Sequence, residues 1–415
     1  MTTTAGRPVE RIDAALAAVS GDRLTRTVEE LAADRFTGRR VGTPGGAAAR
    51  AWLADQLNAL GADVSTVSFP APAVPEIYRA PTVQWHDGTR RAGLAFGRDV
   101  TLHLASADQP EIRRGGLAVA GFGDPAGRWL VVPPSMAVAE ASTGAGGALG
   151  LLVGRAVDGH GWHYTILAGP DPGPLPVLTV GQDLHRRLLD LARTPGDGWW
   201  AADTPIRRVD ATGMNLHARL AAPGPGGLDV LLTAHYDGVG DHPGLRQPAA
   251  ADNASGVAVV VEAARVLAGH LPAGVGLSVA LLDGEEVGAV GSAHHAKAMA
   301  RQAGVVVVNV DGAGCLHEAA AVEAGGPAHG LLAALDQAAH HTGLPLRAGP
   351  VASDNRRYAA AGLPAVGVGA GMAGYHSPAD TTDRVEPATM TALARLVIAT
   401  VRLTAACDPA RIVSR

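Results

Sequence analysis

The segments LDVLLTAHYD (228–237), GLSVALLDGEE (276–286), VVVVNVDGAG (305–314) and LPAVGVG (363–369) decide the fold. Each contains an apolar run of strand length, and amphipathic helical stretches separate them, an alternation that implies a largely parallel sheet. Each run also leads to a residue able to bind a metal or move a proton: His235 and Asp237, Glu285 and Glu286, Asp311 and, beyond a Gly-rich loop, His376. Sites in open parallel sheets gather at the carboxyl ends of the strands, so these side chains can converge there. A fifth element, ADNASG at 251–256, sets Asp252 just before an apolar-rich helix expected over 254–267, facing the same edge.

Outward from these strands the chain divides. Residues 20–69 read as a helix over 23–34, a loop TGRRVGTPGG, a helix over 47–60 and a strand DVSTVSF, again α/β. From there Pro70, Pro72, Pro75 and Pro81 interrupt the chain. Short apolar segments such as GLAVAGF and RWLVVPP follow between Gly, Asp and Pro, which predicts a mostly β region with helices near 141–150 and 184–191. Because α/β character flanks it on both sides, this region reads as an insertion. The expected organisation is a discontinuous α/β domain, 1–75 and 206–415, with a mostly parallel twisted sheet between helices, and a mostly β domain, 76–205, inserted into it.

With 415 residues, 47% of them hydrophobic and 18% charged, the chain can bury a large core. Lys and Arg number 34 against 39 Asp and Glu, a net charge of -5 that offers no field for a polyanion and argues against nucleic acid as a partner. No run reaches the roughly 18 uninterrupted apolar residues of a membrane span. Charges at Arg7, Glu10, Arg11 and Asp13 break any signal-peptide core, and two cysteines, Cys315 and Cys407, argue against a disulfide framework. These features predict a soluble, cytoplasmic chain with no membrane partner.

Taken singly, the polar residues have ordinary structural readings. Asp252 could cap a helix, Glu285 and Glu286 could be first-turn glutamates favoured by the helix dipole, His235 could be a core histidine and His376 a loop residue. Their shared position at the ends of separate strands is the stronger signal. Two histidines and three carboxylates suit zinc, and if one carboxylate bridges, five side chains can hold two metals. Two metals roughly 3.5 to 4 Å apart can share a water, lower its pKa and stabilise a developing oxyanion. One glutamate is then left as the base that takes the water's proton and delivers it to the departing amine.

The motifs HYD (235–237), ADNASG (251–256), LLDGEEVGAVGS (281–292), NVDGAG (309–314), SDN (353–355) and YHSPADT (375–381) make residues 228–386 resemble the clan MH zinc aminopeptidases. That family includes bacterial leucyl aminopeptidase, glutamate carboxypeptidase II and glutaminyl cyclase. RFTGRRVGTPGG (35–46) and LGADV (60–64) are similar to its opening segment. RWLVVPPS (128–135), LGLLVG (149–154) and LPVLTV (175–180) resemble the protease-associated domain that many members carry. The resemblance implies two Zn2+ per chain, with His235 and Asp311 on one, Glu286 and His376 on the other, Asp252 bridging and Glu285 as general base. It further implies Asp237 and Asp380 as carboxylates behind His235 and His376 that fix the imidazole tautomers. Tyr375 is then a candidate oxyanion stabiliser, with a packing aromatic as its plainer reading.

The activity implied is that of an aminopeptidase acting on peptides. A carboxypeptidase-type enzyme or a dedicated amide hydrolase is the alternative, in which Arg356 and Arg357 could reach a substrate carboxylate. A non-catalytic binding protein is disfavoured because all five ligands and the base are present. Glutaminyl cyclase is disfavoured because those enzymes use one zinc and lack the insert. Gly238 and Gly312 stand where relatives often carry larger residues and are expected to widen the pocket. HGWHY (160–164) is a candidate lining of its entrance, and His294 and His295 read as a solvated helix face.

Overall fold

The computed structural model describes residues 8–194, 196–408 and 412; residues 1–7, on which the expectation of an unexported chain partly rests, lie outside them. An eight-stranded mixed sheet runs in the order 63–77, 206–221, 276–282, 229–235, 305–310, 365–369, 320–325, 346–348. The four runs singled out above form its parallel middle, with Leu232 beside both Val279 and Val308, and Val308 beside Val366. The antiparallel pairings lie toward the margins.

These central strands are apolar along their whole length because both faces are covered. Val230, Leu232 and Ala234 pack with the helices Gly21–Leu31, Pro44–Ala59, Ser255–Ala268, His329–Thr342 and Pro387–Ala406. Leu231, Val305 and Val307 meet Val290–Met299 and Asn355–Ala360 on the other side. Among the described residues, Pro387–Ala406 alone is long and apolar enough to cross a membrane. Most of it is buried against the helices Ser255–Ala268 and His329–Thr342, the position of a core helix.

The strand expected to stop near Phe69 continues to Ile77. It is the edge of the sheet, where prolines that cannot donate to a ladder are tolerated, and a bulge between Ala71 and Val74 absorbs the irregularity. The chain leaves this sheet at Ile77 and re-enters at Ile206, directly across the antiparallel pair. Between them lies a second eight-stranded sheet, order 91–93, 83–86, 199–204, 109–119, 128–131, 150–155, 177–181, 100–102, with apolar cores of its own. The helix expected near 141–150 is shorter, Val138–Thr143, because Gly144, Gly146 and Gly147 follow, the last with a φ of 78°.

Candidate metal centre

The strand Asp229–His235 ends in a fully buried His235. On one side its Nε2 lies 3.3 Å from Asp252 Oδ1 and 3.3 Å from Asp311 Oδ1. Across the cluster, His376 Nε2 lies 3.1 Å from Asp252 Oδ2 and 2.9 Å from Glu286 Oε2. The two oxygens of Asp252 therefore face two separate histidine–carboxylate pairs. Ligand atoms of His235, Asp252 and Glu286 also lie within 4.8 Å of one another, a spacing one cation can join.

Hydrogen bonds from the neighbouring loops set these positions. Asp380 accepts from the backbone N–H of Ala251 at 2.6 Å and of Asp252 at 3.0 Å, which fixes the loop before the helix Ser255–Ala268. Asn253 accepts from the N–H groups of Gly256 and Gly312, each at 3.0 Å, and donates to the Val310 carbonyl at 3.0 Å. The hydroxyl of Ser255 donates to Ala251 and accepts from Ala313 N–H. Together they tie the Asp252 loop to the end of the strand that delivers Asp311. Asp237 accepts from the backbone N–H of Glu285 at 3.1 Å and of Glu286 at 3.2 Å, so it holds both glutamates in place.

Burial pushes the Glu285 carboxyl well above its ordinary value, with Asp311, Asp354 and Glu286 adding to the rise and His235 opposing it. Burial likewise moves Glu286 up to about 7, partly offset by His376. Burial would lower both histidines, yet the facing carboxylates raise them well above the ordinary imidazole range. Asp252 moves down: burial raises it, but hydrogen bonds with His235 and His376 outweigh that. Asp237, Asp252, Asp283, Glu285, Glu286, Asp311, Asp354 and Asp380 together outnumber the bases His235, His376 and Arg39. Glu286 Oε1 is buried with no hydrogen-bond partner among the described residues. Excess buried carboxylate with an orphaned oxygen fits cations, and imidazole nitrogen with carboxylate oxygen is a donor set zinc accepts.

One supporting assignment changes. Asp380 stands under Asp252 and not behind His376, whose Nδ1 has no hydrogen-bond partner among the described residues. The reason is the loop geometry: Asp380 lies four residues past His376, where its carboxylate meets the Ala251 and Asp252 amides. Asp237 does lie behind His235, with its carbonyl 3.2 Å and its carboxylate 3.6 Å from Nδ1. Gly238 and Gly312 answer to close packing, since a Cβ on either would come within 2.8 Å of neighbouring atoms, and Gly312 has a φ of 77°. Arg356 pairs with Glu323 and Arg357 donates to the Gly288 carbonyl, so both arginines are held elsewhere. His294 is exposed, but His295 is buried, with Nδ1 at 2.8 Å from the Tyr358 hydroxyl.

Arg39, Asp283 and Asp354 carry weight that the sequence did not assign to them. Arg39 is fully buried and donates to four backbone carbonyls, of Leu31, Tyr236, Pro248 and Ala249, which brace the loops after His235 and before Asp252. Burial lowers its pKa to about 10, with Asp380 and Asp237 opposing. An arginine in a Gly-rich loop gives no signal of such a role, whereas Asp283 in LLDGEEVGAVGS and Asp354 in SDN carry a signal as extra carboxylates beside the ligand motifs.

A cavity of about 360 Å³ opens on the cluster, lined by Asp252, Glu285, Asp311, Val351, Ala352, Met372 and Tyr375. Tyr375 is 42% exposed and its ring stacks on His376 at 3.7 Å. A second cavity, of about 550 Å³, adjoins His376 and Tyr375 and is walled mainly by residues between 101 and 179, from strands of the second sheet and from loops, including His163 and Tyr164 of the HGWHY segment.

Fold and site together define a metallopeptidase. Residues 215–401, which supply every residue of the cluster, match the model of Peptidase family M28, and the chain carries a domain of that family. The fold is similar to that of an aminopeptidase from Aneurinibacillus sp. strain AM-1, with 18% identity, 95% of each chain covered and a TM-score of 0.69. It is also similar to a zinc aminopeptidase from Bacillus subtilis, with 18% identity, 92% of this chain and 94% of that one covered and a TM-score of 0.70. A Peptidase M28 precursor from Shewanella amazonensis gives 16% identity, 96% coverage of each chain and a TM-score of 0.72. No curated protein matches the chain.

Proposed function

We propose that this chain is a zinc-dependent aminopeptidase holding two zinc ions, one between His235 and Asp311, one between Glu286 and His376, with Asp252 shared. The observation that carries this reading is the placing of the two Asp252 oxygens toward separate histidine–carboxylate pairs. Bound zinc supplies a Lewis acid that acidifies water and stabilises negative charge on a carbonyl oxygen. Glu285, on the cavity wall with a raised pKa, takes the proton of the attacking water and passes it to the departing amine. Asp237 keeps that base and its neighbouring ligand in register through the two backbone N–H groups. The Tyr375 hydroxyl donates to the carbonyl oxygen as charge develops there.

A free α-ammonium group suits the carboxylates of the smaller cavity, and no arginine lines it, which favours the aminopeptidase over a carboxypeptidase. Residues 76–205 act in this reading as an inserted domain that walls the approach. The test is a mixed peptide pool and its amino-terminally acetylated copy, each incubated with zinc-loaded protein and followed by mass spectrometry. Stepwise loss of amino-terminal residues from the free pool alone, stopped by a chelator, is the expected result. Equal cleavage of both pools, or release from the carboxyl end, would overturn it.

A further inference from the structure

An exposed cation, Arg155, lines the larger cavity. It is the last residue of the strand Gly150–Arg155 and has no carboxylate partner among the described residues. Its Nη2 lies 3.0 Å from Nε2 of His103, which lines the same cavity. His103 Nδ1 accepts the N–H of Ala105 at 3.1 Å, which places the proton of the neutral ring on Nε2. Burial, with Arg155 beside it, lowers the His103 pKa to about 4, so the ring is neutral near pH 7. In that tautomer a guanidinium N–H and an imidazole N–H face each other at 3.0 Å.

An anion with paired acceptors resolves that contact, and a carboxylate matches the guanidinium fork. The cavity touches the metal centre through His376 and Tyr375, and its wall is bonded to the same loop. Thr165 N–H donates to the His376 carbonyl at 2.8 Å, and the Ser377 hydroxyl donates to Asp158 at 2.7 Å. We propose that Arg155 and His103 form a carboxylate-recognition subsite, which makes the preferred substrates short peptides bearing a carboxylate beyond the scissile bond. This rests on the peptidase reading and narrows it: the amine end sits among the carboxylates and the acid end on Arg155.

The carboxylate can be the peptide's own carboxyl terminus or an acidic side chain. Calorimetry with zinc-loaded Glu285→Gln protein separates the two through Leu-Gly-Gly, Leu-Gly-Gly amide and Leu-Glu-Gly amide. A terminal carboxylate predicts that the free acid binds about tenfold to a hundredfold tighter than the plain amide, the range for charge-assisted hydrogen bonds. An acidic side chain predicts the same advantage for the glutamyl amide. Either advantage must disappear when Arg155→Gln is added, while the plain amide binds as before. Equal affinity for all three probes, no binding of any, or an advantage that survives Arg155→Gln overturns the subsite. Because binding is read without turnover, it stands apart from the peptidase reading, which fails if the unmutated zinc-loaded protein hydrolyses none of the three.

Discussion

Glu285 and Glu286 are adjacent in the chain, share Asp237 as their anchor and point to different tasks, one facing the cavity and one facing His376. The proposed roles separate under substitution. Glu285→Gln is expected to keep both zinc ions and lose about 10²- to 10⁴-fold in kcat, the usual contribution of a general base. Glu286→Gln is expected to lose zinc as well. Metal analysis beside steady-state kinetics checks the pair, and the reverse pattern exchanges the two roles. At this scale the sequence was most informative where residue type and chemistry coincide: a histidine or carboxylate at the end of an apolar run has few reasons to be there. It was least informative for groups that work through the backbone. Arg39 holds carbonyl groups and Asp380 holds amides, and neither partner leaves a trace in residue identity.

Among the elements, the helix Ser255–Ala268 and the strand Val305–Val310 matter most, because Asn253 staples the start of one to the end of the other. A Cβ on Gly256 would meet Asn253 Oδ1 at 2.2 Å and the Val310 carbonyl at 2.8 Å. Gly256→Ala is therefore expected to destabilise the protein by about 1–3 kcal/mol, the usual cost of overpacking, and to weaken zinc binding by displacing Asp252 from Asp311. Gly181→Ala, where a Cβ meets nothing within 4 Å, is the control. Denaturant unfolding and zinc titration of both variants check this, and equal behaviour of the two would contradict it. The parallel middle of the sheet was legible because strands covered on both faces read as continuous apolar runs. The continuation of the strand Asp63–Ile77 past Phe69 was not, because edge position decides whether prolines are tolerated, and edge position is a property of the whole sheet.

For the whole molecule, the concentration of buried carboxyls makes stability depend on both pH and metal. Burial, aided by Asp237 at Asp283 and by Asp252 at Asp380, raises Asp283, Asp354 and Asp380 to about 7 from an ordinary 3.8. A carboxyl raised in the folded state contributes stability that is complete below about pH 4 and lost as pH rises through about 7. Buried His103, His242 and His295 are shifted down, so their opposite contribution has saturated above about 6.5. Between about pH 6.5 and 8.5 the carboxyls decide the sign: chelated protein is expected to melt at a lower temperature at the higher pH. Zinc is expected to restore more at pH 8.5 than at 6.5, and a rise in the chelated Tm across that window would contradict the assignment.

Two zinc ions around a shared Asp252 can be counted by adding zinc stepwise to chelator-stripped protein, with bound metal and amino-terminal release measured on the same samples. Binding is expected to saturate at two zinc ions per chain, with full activity reached only then and neither second-site binding nor full activity in Asp252→Asn. Saturation at one zinc, or activity that does not follow zinc at all, would contradict it.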